Sequence, residues 1–128
     1  MTDDIFADRV AKVRQRFVAT LEAKIEETSA ALPKLGGVAP ADAAAAAVSE
    51  AYRAMHAIVG IGRTVGFPDT GRAAHDVEDV LRPPYQAGRG LSDDEIFHLK
   101  DSLQALRTIA ARELQSFQAL SQCQSLSQ

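Results

Sequence analysis

The sequence predicts an all-α chain folded as an antiparallel up-and-down four-helix bundle. Three observations carry that prediction. Four segments place apolar side chains at three- and four-residue steps, short stretches containing Pro or Gly separate them, and no segment shows the two-residue alternation of a half-buried strand. Composition agrees: of 128 residues 46% are apolar and 5% aromatic, with no Trp, while Ala, Leu, Glu, Gln and Arg are plentiful. These side chains lose little freedom in a helix. The length is that of one domain, expected to span 1–128 with about 121–128 as a frayed polar tail.

The first segment runs from about Asp3 to Leu32, with Phe6, Val10, Val13, Phe17, Leu21, Ile25, Thr28 and Leu32 forming one stripe. Thr2, Asp3 and Asp4 suit the capping of its first turn. Pro33, Gly36, Gly37 and Pro40 mark a loop. The second helix starts near Asp42 and continues to about Val65, burying Ala44, Ala47, Val48, Ala51, Met55, Ile58, Gly62 and Val65. Gly66-Phe67-Pro68-Asp69 ends it, because Gly suits the left-handed C′ position and Pro follows. Asp69 or Thr70 is the expected cap of the next helix.

The third helix is expected to be short, from about Gly71 to Leu81, with Ala74, Val77 and Leu81 inward and Pro83-Pro84 stopping it. Tyr85 to Gly90 would then be loop. The fourth opens on Ser92-Asp93-Asp94-Glu95, a capping-box sequence, and buries Ile96, Leu99, Leu103, Leu106, Ala110, Leu114 and Phe117.

A formal charge of −3 with no basic stripe argues against a nucleic-acid partner. The lone Cys123 excludes an intramolecular disulfide and fits a reduced compartment. Met1 to Asp8 carries three acidic and no basic residues, the opposite of a signal-peptide start, and no charge-poor stretch is long enough to span a bilayer. A cytoplasmic protein with no membrane partner is expected. Because four segments can complete a bundle within one chain, so is a monomer.

His56 is the residue that points to chemistry. At about 100° per residue, the core stripe of the second helix centres roughly 140° away from it, so His56 faces out. Ser49, Arg53, Gly60 and Arg63 flank it, with Tyr52 and Val59 to one side. A neutral imidazole is a competent nucleophile near neutral pH and can carry a phosphoryl group that a second protein can reach. Arg63, two turns on, and Arg53, about one turn back, are placed to neutralise phosphoryl oxygens. Gly60, one turn on, costs entropy in a helix, and room for a partner's active site beside His56 would account for it. Against this stands the plainer reading, in which an exposed His and two solvated arginines lie on an ordinary surface and the glycines serve helix packing.

The run His56-Ala57-Ile58-Val59-Gly60-Ile61-Gly62-Arg63-Thr64-Val65-Gly66 resembles the signature of the histidine-containing phosphotransfer (HPt) domain family. It has the His, an aliphatic residue two later, Gly four later and Gly ten later at the helix turn. Val77-Glu78 is similar to that family's downstream Leu-Glu pattern, and the order and lengths of all four helices fit. The resemblance implies that His56 is the phosphoacceptor. It also implies that receiver domains of response regulators or hybrid histidine kinases are the partners, and that Mg²⁺ resides on the partner. The chain would be a carrier with no ATP site of its own, and no Gly-rich nucleotide loop is present.

Glu78 would act beside His56. One departure is plain: the family's Lys three residues after the His is Val59 here. Arg63, or Arg82 one turn beyond Glu78, would substitute for it, or Val59 joins Tyr52 and Gly60 in a partner-docking surface. The competing reading is a non-catalytic helical interaction module that binds a signalling partner without phosphotransfer. His75 and His98 read as surface helix residues. With no two histidines at helical metal spacing, no metal site and no resident cofactor are expected.

Overall fold

A computed structural model describes residues 2–37 and 39–126, with side chains described for residue 5 and from 7 to 116 apart from 38. Four helices follow one another: α1 (Thr2–Ala31), α2 (Ala41–Val65), α3 (Pro68–Ala87) and α4 (Asp93–Leu126), with a 3-10 turn at Leu32–Lys34 after α1. Each helix packs on the next, and α1 returns to α4, closing the bundle. Among the described residues no strand forms. One isolated bridge joins Gly36 to Leu91, and Leu91 N–H donates to the Leu35 carbonyl at 2.8 Å, tying together the two loops at that end.

The core is built from the expected stripes. Phe17, Leu21 and Ile25 of α1, Val48, Met55 and Ile58 of α2, Ala74, Val77 and Leu81 of α3, and Leu99, Leu103 and Leu106 of α4 are all buried. Val13 is not: it is 46% exposed, as is Ile5 at 57%. The reason is length. Arg14 Nε donates to the Val65 carbonyl at the end of α2, at 2.8 Å, so residues of α1 before Arg14 run past the α2–α3 turn and have less to pack on. Phe6 and Phe117 lie outside the described side chains, as do the caps expected at Thr2, Asp3 and Asp4, and Cys123. The α4 backbone is helical to Leu126, so the segment expected to fray is assigned to helix up to that residue.

Two expectations for α3 are corrected. It begins at Pro68, the first helical position, where a missing N–H costs nothing, and no side chain of its own first turn caps it. Glu113 of α4 does so instead, accepting from Asp69 N–H at 3.0 Å and Thr70 N–H at 2.9 Å. Nor do Pro83 and Pro84 end the helix, which continues through both to Ala87. Each proline removes a helical N–H, a loss on the order of 3 kcal/mol in an isolated helix. Here the loss is offset by packing, since Pro84 is fully buried and Tyr85 stacks on Tyr52 of α2 with ring centroids 4.1 Å apart. Gly88, at φ 66°, then closes the helix. Its N–H reaches the Tyr85 carbonyl at 3.2 Å, and Arg89 N–H reaches that of Pro84 at 3.0 Å.

The expected capping box of α4 is formed. Glu95 N–H donates to Ser92 Oγ at 3.2 Å and Ser92 N–H to Glu95 Oε1 at 2.9 Å. Arg89 adds two bonds to the same carboxylate, at 2.7 and 3.1 Å, and with the Ser92 groups holds the Glu95 carboxyl down at about 2 against the pull of partial burial.

Candidate functional site

The site lies on the seam between α2 and α3. Gly66, at φ 92°, ends α2 and sends the chain straight back as α3. Just beyond this turn the two backbones run close: a Cβ on Gly62 would stand 3.3 Å from Gly71 Cα. α2 and α3 run antiparallel, so positions later on α2 face positions earlier on α3. His56 therefore meets Glu78, and Tyr52 meets Tyr85.

His56 is exposed, its side chain 70% accessible, while the Glu78 side chain beneath it is only 5% accessible. His56 Nδ1 lies 3.0 Å from Glu78 Oε1. Burial pushes the Glu78 carboxyl up. Hydrogen bonds from His56, Tyr52 and Arg82 and the positive charge of the imidazolium outweigh it, so the carboxyl titrates below its ordinary value. An ionised carboxylate only accepts, so the proton of a neutral His56 sits on Nδ1 and the Nε2 lone pair faces solvent.

Arg82 NH2 approaches Glu78 Oε1 at 3.4 Å, while its NH1 is held by Asp79 Oδ1 at 2.6 Å. Tyr52 and then Asp79 stabilise the charged guanidinium further.

The structure thus gathers Tyr52, His56, Glu78 and Arg82. It leaves Arg53 and Arg63 exposed on α2, and among the described residues neither forms a hydrogen bond or ion pair. The Arg63 stem runs over α3, with Cγ 3.6 Å from where a Gly71 Cβ would stand. Val59 is half-buried against the core, Ile61 is 45% exposed, and Gly60 is exposed with nothing within 4 Å of a would-be Cβ. Two residues of the cluster were not singled out from the sequence. Asp79 is a plain neighbour of Glu78 in the chain, and Tyr85 was hidden by the prolines before it.

His75 and His98 are surface helix residues. His75 is 43% exposed and pairs with Asp79 at 3.3 Å, and His98 lies edge-on to the exposed Phe97. Among the described residues, His75, Asp76 and Asp79 place ligand atoms within 4.8 Å of one another, although Arg82 already occupies one Asp79 oxygen. No described helix is long and apolar enough to cross a membrane.

Compared with known proteins, the chain matches the family model described as the Hpt domain over residues 12–109. No match was found among curated proteins or among solved structures. The matched span holds both His56 and Glu78 and reaches well into α4. The chain belongs to the Hpt domain family, the histidine phosphotransfer domains that work with receiver domains in two-component phosphorelays.

Proposed function

We propose that His56 accepts a phosphoryl group on Nε2 from the aspartyl phosphate of one receiver domain and passes it to the aspartate of another. The observation that carries this reading is the pairing of an exposed imidazole, 70% accessible, with a buried carboxylate 3.0 Å from Nδ1. That bond leaves Nε2 as the nucleophile. In the forward step the Nε2 lone pair forms the N–P bond while the P–O bond to the receiver's carboxylate breaks, and the carboxylate leaves with the electron pair. The phosphorylated ring keeps its Nδ1 proton and is cationic, and the Glu78 carboxylate lies against that charge.

Arg82 joins the pair from below, one of its nitrogens 3.4 Å from the carboxylate that holds His56, and Arg82, Arg53 and Arg63 are the guanidinium groups available to the phosphoryl oxygens. Val59, Gly60 and the exposed Ile61 form the adjoining surface on which a receiver would dock. Mg²⁺ would come with the receiver, and the chain itself needs no nucleotide site. A monomer in the cytoplasm suits this role.

The test is transfer of radiolabelled phosphate from a panel of phosphorylated receivers. Acid-labile, base-stable label on the wild type and none on His56→Gln supports a carrier. Binding of a receiver without labelling would replace it with a non-catalytic interaction module.

A further inference from the structure

α1 and α4 meet less closely than the other neighbouring helices, and a cleft of about 320 Å³ opens between them. Its walls are Phe17, Leu21 and Ile25 of α1, Phe67 of the α2–α3 turn, and Ala110 and Leu114 of α4. The space arises because α4 brings alanine, at 110 and 111, to the helix contact where α1 brings Phe17 and Leu21. Among the described residues none of α2 lines the cleft, so it is separate from the surface around His56.

One polar group in the wall is unmet. Thr70, 1% exposed, belongs to the lining, and its Oγ1 has no hydrogen-bond partner. The Thr70 backbone N–H is already bonded to Glu113, so the hydroxyl alone is left over. A buried hydroxyl without a partner is costly and uncommon. At the rim, Arg107 of α4 donates to Glu26 of α1 at 2.8 Å, while Glu22 forms no ion pair among the described residues.

We propose that this cleft binds a small, neutral, mainly apolar molecule carrying one hydroxyl or carbonyl group, which meets Thr70 Oγ1. Its volume falls at the lower end of small-molecule pockets, roughly 300–1,000 Å³, and burial against the apolar walls drives entry. The Thr70 hydroxyl can donate or accept, so either polar group satisfies it. Glu22 and the paired Glu26 leave the rim with an excess of negative charge, which disfavours an anion. Phe17 stacks on Phe67 with ring centroids 5.5 Å apart, so a ligand against Phe17 ties α1 and α4 to the α2–α3 turn. The site does not depend on His56 carrying phosphate.

The experiment titrates the full chain with p-cresol and p-xylene, which share a shape and differ in one hydroxyl, and with 4-methylbenzoate, which is anionic. Binding is located and measured by NMR in wild type, Thr70→Val and Ala110→Leu, each first checked for helical content. In wild type p-cresol should give saturable shifts at Leu21, Thr70 and Leu114. It should bind about fivefold more tightly than p-xylene, as for one net hydrogen bond, and at least about tenfold more tightly than 4-methylbenzoate. Thr70→Val keeps the shape without the hydroxyl, so it should bind p-cresol and p-xylene alike and be at least as stable as wild type. Ala110→Leu should fill the cleft and abolish the shifts. Absence of saturable shifts at these residues in wild type overturns the proposal, as does binding that survives Ala110→Leu unchanged. A preference for p-cresol that persists in Thr70→Val, or a destabilised Thr70→Val, shows that the hydroxyl is not waiting for a ligand and overturns it too. Equal affinity for 4-methylbenzoate overturns the assignment of a neutral ligand.

Discussion

Replacing Gly60 with alanine should make this protein more stable and a worse phosphoryl carrier. Gly60 lies inside α2, exposed, one turn beyond His56, and a Cβ built there meets nothing within 4 Å. The fold therefore makes no demand for glycine at this position, and alanine should add about 0.5–1 kcal/mol of helix stability. With an unfolding entropy of roughly 2.1 cal/mol/K per residue, that gain raises Tm by about 2–4 °C for a chain of 128 residues. The new methyl stands on the face that a receiver must approach. Forcing one extra methyl into a packed interface costs about 1–3 kcal/mol, or about 5- to 150-fold in transfer.

Gly62→Ala is the internal control. Its Cβ would stand 3.3 Å from Gly71 Cα and 3.4 Å from the Phe67 carbonyl oxygen, both backbone atoms, so α2 and α3 must part. The crowding costs about 1–3 kcal/mol against the same helix gain of about 0.5–1 kcal/mol, so Gly62→Ala should end less stable than Gly60→Ala. Thermal unfolding by circular dichroism and single-turnover transfer from a labelled receiver read both effects. Gly60→Ala that gains stability yet transfers at the wild-type rate would refute the claim that a partner packs against this face. A loss of stability would refute the open geometry at Gly60.

Glu78→Gln keeps the size but removes the charge beneath His56, and transfer should fall about tenfold with Tm little changed; a wild-type rate would remove Glu78 from the mechanism. Glu113→Ala leaves two N–H groups at the start of α3 without their acceptor and should cost about 1–2 kcal/mol in urea unfolding. A cost near zero would mean that solvent caps α3 equally well.

Glu95 provides a pH test. Its carboxyl is held at about 2 in the folded chain against an ordinary 4.5, so the stabilisation is complete above about 4.5 and is lost as pH falls towards 2. The full shift would correspond to about 3 kcal/mol, and solvent screening at a partly exposed carboxylate reduces this to about 1–2 kcal/mol. Glu95→Gln should be less stable than wild type at pH 7 by that amount, and the difference should vanish near pH 2. A gap that is constant with pH would contradict the ion pair with Arg89.

Much of this was legible in the sequence. The α2 stripe from Ala44 to Val65 is buried as its spacing requires, apart from the half-buried Ala47, because α2 packs along its length and Gly66 supplies the stop. The Ser92–Glu95 capping box is local chemistry and forms as written. His56 faces outward for the same reason the stripe faces inward, and Glu78 lies against it as the family pattern implied.

What could not be read depends on contacts between distant parts of the chain. Proline chemistry alone ends α3 near Leu81, and only the burial of Pro84 and the stacking of Tyr85 on Tyr52 carry the helix on to Ala87. The α3 cap comes from Glu113, over forty positions away. Val13 fits the apolar spacing of α1, yet it lies where α1 has run past the end of α2. Arg53, Arg63 and Arg82 were all candidates from the sequence, and only the packing of α3 on α2 distinguishes them, since it is Arg82 whose guanidinium reaches Glu78.

The central claim is that His56 carries the phosphoryl group on Nε2. Transfer from a phosphorylated receiver, followed by ³¹P and ¹⁵N NMR of the trapped protein, tests it most directly. The account predicts a single phosphohistidine at position 56, bonded through Nε2 and absent from His56→Gln. A phosphoryl group on Nδ1, or label that persists in His56→Gln, would contradict it.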